Sequence, residues 1–326
     1  MKTDGVEAIQ RALAAHPVMR LAITPTPLYA LDRLSARHGR GRRVWIKRDD
    51  LTGFALGGNK IRKLDYLVAG ALAKGADTLV VSSASSFSRN AAAAGRAFGL
   101  DVHVIVSGDA RAHNAASRAF FDATGATLHY TARDLEATQR EVTSELRGRG
   151  RRVVELHPGG SDTIGTLGYV QAFAEIAAFA AREGVSFERV LHASGSAATQ
   201  AGLVLGRALG GFDAHPVVGV AISRSAAAQT ERVAELARAT ASMLGVAFDA
   251  SGVVVDDRYL GEGYPVPSDA SRAAVEVFAR EEGLLFDPVY GGKAAAAVLG
   301  ALRDEELAPD ANLLLIHTGG NAGVYY

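Results

Sequence analysis

Two open α/β domains with mostly parallel sheets are predicted for this chain, and three observations predict them. Strand-like and helix-like segments alternate along it, glycines punctuate the helix ends, and its 326 residues exceed one ordinary domain of about 100–200 residues.

The first series runs through the N-terminal half. Residues 44–46 read as a short strand, and 60–74 have helical periodicity that stops at Gly75. A strand over 78–81 leads to a helix over 91–98 that stops at Gly99, and a strand over 102–106 leads to a helix over 112–124 that stops at Gly125. A strand over 127–130, a helix over about 134–146 and a strand over 153–156 close the series. Such a βαβα run implies a parallel sheet covered on both faces. The second half repeats the logic with longer elements: helix 165–182, strand 189–192, helix 199–209, strand 217–222 and helix 226–244. A last strand over 313–316 ends in the turn His317-Thr318-Gly319-Gly320. The alanine runs 91–94 and 294–297 read as helix interiors. The expected division is a small domain over 50–160 and a larger one built from 1–49 and 161–326. In open α/β sheets ligands sit beyond the carboxyl ends of the strands, so the loops there are the place to search.

Composition narrows the class. Hydrophobic residues are 48% and charged residues 21%, which excludes a disordered chain. Lys+Arg and Asp+Glu are both 35, so there is no basic excess for a phosphate backbone, and no nucleic-acid partner is expected. With no cysteine, disulfides, thiolate metal sites and cysteine nucleophiles are excluded, and a reducing, cytoplasmic location is expected. Asp4 and Glu7 stand where a secretory apolar stretch would begin, and apolar runs such as 294–299 fall far short of the roughly 18 residues of a membrane span. No membrane partner is expected. Histidines number nine, none at a metal-binding spacing, and no metal site is expected.

Two segments carry chemistry. The first is the stretch from Lys47 through Asp49-Asp50 and Gly57-Gly58-Asn59-Lys60 to Leu64, where a strand gives way to a charged turn, a glycine-rich loop and a lysine opening a helix. The positive end of the helix dipole lowers an amine pKa there, as a Schiff-base lysine requires. A phosphate loop fails, because Asn59 stands where its lysine should be and Ile61 where its hydroxyl should be. A solvated charged turn is the plain alternative. The second segment, Ser194-Gly195-Ser196-Ala197-Ala198-Thr199, follows a strand and opens a helix, so its N–H groups and the hydroxyls of Ser196 and Thr199 suit an anion. An ordinary turn with Ser or Thr as N-cap is the plain alternative. A lysine plus a downstream phosphate cradle, with no second nucleotide signature, points to pyridoxal phosphate.

Five motifs occur in order: Asp49-Asp50, Gly57-Gly58-Asn59-Lys60, Gly261-Glu262-Gly263-Tyr264, Asp287-Pro288-Val289-Tyr290 and His317-Thr318-Gly319-Gly320. In these the chain resembles, from about residue 26 to 326, the D-cysteine desulfhydrase and 1-aminocyclopropane-1-carboxylate deaminase family. The resemblance implies pyridoxal phosphate fold type II, similar to the tryptophan synthase β chain, a small amino-acid substrate and a homodimer. It implies that Lys60 bonds the cofactor and later shuttles the substrate α-proton. It implies that Gly195, Ser196, Ala197, Ala198 and Thr199 hold the phosphate, and that Tyr264 and Tyr290 are the two active-site tyrosines. Asn59 and Thr318 join the cofactor-binding set. His317 reads as a packed core histidine, and Asp49-Asp50 as partners of neighbouring cations.

The chain departs from the family at several places. Ala197-Ala198 stand where Gly-Gly is usual, so the loop must tolerate two Cβ atoms. The family reads Gln-Ser-Asn-His after its second strand; here the stretch is Ser82-Ser83-Ala84-Ser85-Ser86-Phe87-Ser88-Arg89-Asn90. Anchoring on Arg89 and Gly99, with a two-residue deletion, places Ser85 on the family serine, which holds or attacks the substrate, and Ser86 on the asparagine that bonds the cofactor's phenolic oxygen. Arg89 is a candidate for an acidic substrate group. Deaminase members carry a glutamate where Gly291 stands and a leucine where Thr318 stands; desulfhydrase-like members carry threonine at the latter. The expected activity is therefore a pyridoxal-phosphate-dependent β-elimination from a small β-substituted amino acid, D-cysteine-like, giving pyruvate, ammonia and sulfide. The alternatives are a cysteate sulfo-lyase, the cyclopropane deaminase and a cofactor-binding protein without lyase activity.

Overall fold

The computed structural model describes residues 3–109, 114–212, 215–305 and 307–320. In chain order the N-terminal part contains α1 (Thr3–Leu13), β1 (Leu28–Ala30), α2 (Asp32–His38), β2 (Arg43–Lys47), α3 (Asn59–Ala73), β3 (Thr78–Ser82), α4 (Ser86–Ala97), β4 (Asp101–Ser107), α5 (Ala115–Thr124), β5 (Thr127–Thr131), α6 (Leu135–Gly148) and β6 (Val153–Leu156). The C-terminal part contains α7 (Thr163–Glu183), β7 (Arg189–Ser194), α8 (Ala198–Gly210), β8 (Val217–Ala221), α9 (Ala226–Met243), β9 (Val254–Asp256), α10 (Asp269–Glu282), α11 (Gly291–Ala301) and β10 (Asn312–Ile316).

The strands form two sheets. One has six strands in the order β1-β2-β10-β7-β8-β9, parallel except for the antiparallel edge strand β1; the other has four parallel strands in the order β5-β4-β3-β6. Every strand of the larger sheet falls within 1–49 or 161–326, and every strand of the smaller within 50–160. Both faces of the larger sheet are covered, and β10 shows why its strands read as continuous apolar runs. Leu314 and Ile316 pack on the side of α7 and α8 with Phe173, Phe187 and Leu205, while Leu313 and Leu315 pack on the side of α10 and α11 with Phe278, Phe286 and Val298. α7 alone among the described helices has the length and hydropathy of a membrane span, and 67% of that stretch is buried within the protein, which makes it a core helix.

Differences from the sequence reading have local causes. α4 begins at Ser86 rather than 91, because Ser85 is its N-cap and accepts from the Ser88 N–H; the serines form the first helical turn instead of a loop. α5 begins at Ala115 under an Asn114 cap, and the expected first residues 112 and 113 lie outside the described residues. α1, α2, β1, β9 and α10 are additional to the elements that the patterning predicts, and α11 extends well beyond the alanine run 294–297.

A buried ionic cluster joins α3 to the larger sheet. Arg62, on the first turn of α3, donates to Asp49 from Nε and Nη2 at 2.9 Å each, and to Glu175 of α7 at 2.7 and 2.8 Å. Lys47 also reaches Glu175, at 2.7 Å, and Tyr169 and Thr26 donate hydroxyls to Asp49 at 2.6 and 2.7 Å. Burial alone would raise the Asp49 carboxyl, but Arg62 and Lys47 outweigh it and hold it down at about 2. Asp50 pairs with Arg48 at 2.7 Å, so both acids of the pair meet cations, as expected.

Candidate active site

A cleft of about 420 Å³ opens where the carboxyl ends of strands from both sheets meet. Its lining includes Asn59, Lys60, Ser83, Ser85, Ser86, Ser196, Ala197, Thr199, Arg224, Tyr264, Tyr290 and Thr318. Of the expected site residues, Ala198 and Arg89 lie off this lining, Ala198 as the first residue of α8 behind it. A second cavity, of about 730 Å³, lies between α1 and α7. Its charged floor, Lys47 and Glu175, is spent within the ionic cluster, so reactive groups converge on the smaller cleft.

Lys60 stands at the second position of α3. Gly58, the N-cap, has φ 90°, and the turn after β10 packs directly on it: the Asn59 N–H donates to the Thr318 carbonyl at 2.9 Å, and a Cβ on Gly319 would lie 2.7 Å from Gly58 Cα. Only glycine fits at 58 and 319. The Lys60 amine is lowered to about 8, and burial is the main cause rather than the helix end invoked from the sequence. Lys63, one turn on, is fully buried, donates to the Gly159 carbonyl at 3.1 Å and is pushed well down by burial and by Lys60.

The anion cradle follows β7. The N-cap of α8 is Ala197, whose side chain caps nothing, so no hydroxyl of the segment fills the helix N-terminus. Ala197 sits at φ 83°, ψ −42°, a conformation an L-residue adopts under strain, in the position where the family usually has glycine. Ser161 ties the loop down by donating to the Ser196 carbonyl and accepting from the Ala198 N–H at 3.3 Å. Asn59 Nδ2 donates to Thr199 Oγ1 at 3.1 Å, which links lysine loop and cradle. Gly159, at φ 69°, marks their meeting point: a Cβ there would lie 2.7 Å from Ser196 Oγ and 3.6 Å from Lys60 Nζ. An amine lowered toward neutrality, beside a helix N-terminus whose N-cap residue has no capping side chain and with hydroxyl donors at hand, fits an aldehyde bearing a phosphate, the pyridoxal phosphate that the resemblance implies.

The tyrosines sit at the mouth, 56% and 41% exposed for Tyr264 and Tyr290, with ring centroids 5.7 Å apart in an edge contact. Burial and Tyr264 raise the Tyr290 phenol. Both are positioned by residues the sequence reading had not assigned roles. Asp287 accepts the N–H groups of Val289, Tyr290 and Gly291 at 3.1, 2.6 and 3.0 Å, and Lys293 donates to the Leu260 and Gly263 carbonyls at 2.9 and 3.0 Å, holding the loop that bears Tyr264. Gly291 itself is off the cleft, and a Cβ there would lie 2.7 Å from Phe286 Cδ1. His317 is a core histidine, as expected: its Nε2 bonds the Leu285 carbonyl at 3.0 Å, its ring stacks on Phe286 at 4.1 Å, and burial lowers its pKa.

The arginine on the cleft is not the one expected from the sequence. Arg89 donates to Ser117 Oγ of α5 at 3.0 Å and to the Ala84 carbonyl at 3.4 Å, and does not line the cleft. Arg224 does line it. Ser83, with φ 78°, is a third serine of the loop after β3 that lines the cleft, with Ser85 and Ser86, and its carbonyl accepts the Ser88 hydroxyl.

Comparison with known proteins agrees with this geometry. Residues 19–319 match a family model described as pyridoxal-phosphate dependent enzyme. A D-cysteine desulfhydrase of Yersinia pestis (strain Pestoides F) is 37% identical over 97% of this chain and 98% of its own length. Among solved structures, a 1-aminocyclopropane-1-carboxylate (ACC) deaminase homologue superposes with a TM-score of 0.87 at 33% identity, covering 99% of this chain and 97% of that one. Threonine deaminase isoform 2 from Solanum lycopersicum superposes with a TM-score of 0.71 at 17% identity, over 98% of this chain and 91% of that one, a likeness of fold alone.

Proposed function

The chain belongs to the family of pyridoxal-phosphate-dependent enzymes, and we propose that within it the protein eliminates the β-substituent of D-cysteine, or of a close β-substituted analogue, yielding pyruvate, ammonia and sulfide. The observation that carries this reading is the Lys60 amine, lowered to about 8 and facing the Ser196–Thr199 cradle across Gly159 in one cleft. Bound pyridoxal phosphate supplies an electron sink that labilises bonds at the substrate α-carbon.

The chain's own groups supply the rest. Ser196, Thr199 and the first N–H groups of α8 hold the phosphate, with Asn59 fixing the Thr199 hydroxyl. Lys60 Nζ anchors the cofactor and moves the α-proton, which an amine near neutrality does in both directions. Ser85, at the N-terminus of α4, holds the substrate carboxylate, and Ser86 bonds the cofactor's phenolic oxygen. Tyr290 and Tyr264 stand at the mouth, where a raised phenol delivers a proton to the departing sulfur. Residues 1–49 and 161–326 act as the larger unit, which holds the cofactor phosphate, and 50–160 as the smaller unit, which carries Lys60 and the serine loop. The working species is a cytoplasmic homodimer.

Elimination fits better than cyclopropane ring opening, because position 291 has no room for the deaminase glutamate and Thr318 lines the cleft. The test is 2-oxo-acid and ammonia release from a panel of D-cysteine, L-cysteine, cysteate, β-chloroalanine and the cyclopropane amino acid, the first four giving pyruvate and the last the four-carbon 2-oxobutanoate. Release from D-cysteine in preference to the cyclopropane is expected. Ser85→Ala and Tyr290→Phe should lower kcat about a hundredfold with cofactor absorbance retained. Wild-type rates in both variants would remove these two residues from the reaction.

A further inference from the structure

Arg224 follows β8, at the mouth of the cleft, and none of the roles above uses it. Its Nη1 donates to the Gly195 carbonyl at 3.1 Å and to Ser223 Oγ at 3.2 Å, two neutral acceptors. Gly195 also faces the catalytic tyrosine, since a Cβ on it would lie 3.8 Å from Tyr290 Cε1. One residue therefore borders both the guanidinium and the phenol.

Charge is unbalanced at this point. The carboxylate on the lining, Asp287, is taken up by three backbone N–H groups. The charged neighbour that acts on Arg224 is Arg232, a second cation. Through Gly195, Arg224 stands beside Tyr290, the phenol placed at the departing β-substituent, and this puts the guanidinium on the β-substituent's side of the cleft. An exposed guanidinium exchanges a carbonyl and a hydroxyl for an anionic partner with gain, because hydrogen bonds to charged acceptors are roughly twice as strong as neutral ones.

We propose that Arg224 is the specificity-determining residue of this cleft, selecting amino acids whose β-substituent bears negative charge, a sulfonate being the permanently charged case. The proposal rests on the elimination reading above. The cofactor phosphate is the other anion within the cleft, and the experiment separates the two.

The experiment compares wild-type holoenzyme with Arg224→Gln and Arg224→Lys. It measures kcat/KM for cysteate, cysteine and neutral β-chloroalanine, inhibition by ethanesulfonate, and the cofactor dissociation constant by absorbance titration. Arg224→Gln should lower kcat/KM for cysteate about thirtyfold and weaken ethanesulfonate about tenfold, while changing β-chloroalanine less than about threefold and cofactor affinity not at all. Arg224→Lys should restore part of the loss, because it restores the charge but not the planar fork. Equal losses on charged and neutral substrates would overturn the proposal, as would a loss confined to cofactor affinity, which assigns the guanidinium to the phosphate. If wild-type protein binds the cofactor yet eliminates from no substrate, the lyase reading fails. Ethanesulfonate binding, read by its effect on cofactor absorbance, then decides Arg224 by itself: equal affinity in wild type and Arg224→Gln would overturn it.

Discussion

Replacing Asp49 by alanine should destabilise the protein by about 3–5 kcal/mol, the usual cost of removing one partner of a buried ion pair. Asp49 is fully buried and takes four donors: two from Arg62, one from Tyr169 and one from Thr26. The cluster of Asp49, Glu175, Arg62 and Lys47 is neutral as built, so the deletion strands one positive charge in the interior. The held-down carboxyl supports the scale. A fall from 3.8 to about 2 is worth about 2 kcal/mol of preference for the ionised form, before packing and the orphaned hydroxyls are counted. The folded-state pKa is depressed, so this contribution is present above the ordinary carboxylate value and is lost as pH falls from about 4 toward about 2. Urea unfolding at neutral pH measures the loss, with Asp49→Leu combined with Arg62→Met as the control. That pair removes one charge of each sign and should be less destabilised than Asp49→Ala alone. Arg62 lies two residues beyond Lys60 on the first turn of α3, so Asp49→Ala should also weaken cofactor binding. A loss below about 1 kcal/mol, or a double variant weaker than the single, would refute the reasoning that the cluster anchors α3.

Borohydride reduction of the holoenzyme should trap a pyridoxyl group on Lys60 and leave Lys63 free, as peptide mapping would read. Cofactor association with the apoprotein should rise with pH and level off above about 8, where the Lys60 amine is neutral; an inflection near the ordinary lysine value would contradict its burial. Gly159→Ala should lower cofactor affinity at least about tenfold with the fold retained, because the new Cβ would sit 2.7 Å from Ser196 Oγ on a backbone at φ 69°. Unchanged binding in equilibrium dialysis would show that the cradle gives way freely.

Much of the fold was legible because its signals are local. Period-2 and period-3.6 patterning located most strands and helices of the two sheets, and the glycine stops at 75, 99 and 125 each have φ near 70°, the left-handed turn that ends a helix. The ordered motifs carry Lys60 and both tyrosines, and the small and hydroxyl residues between a strand and a helix mark the cradle, all in the sequence alone. Elements of three residues, β1 and β9, carry too little pattern to be read, and the serines opening α4 resemble a loop because capping residues and turn residues are the same types.

Tertiary structure decided what depends on neighbours distant in sequence. β10 enters between β2 and β7, so the last turn of the described chain seals the loop before Lys60. The amine of Lys60 is lowered by burial, which composition around residue 60 does not reveal. Arg89 lies near the serines in sequence but is drawn to Ser117 on α5, whereas Arg224 reaches the cleft from more than a hundred residues away. The parallel register of β7 with β8 pairs Ser194 with Ala221, and parallel strands deliver the loops at their carboxyl ends to the same edge of a sheet. Residue types and their order set the chemistry the chain can carry; strand pairing, a long-range contact with no local signature, set which arginine stands beside it.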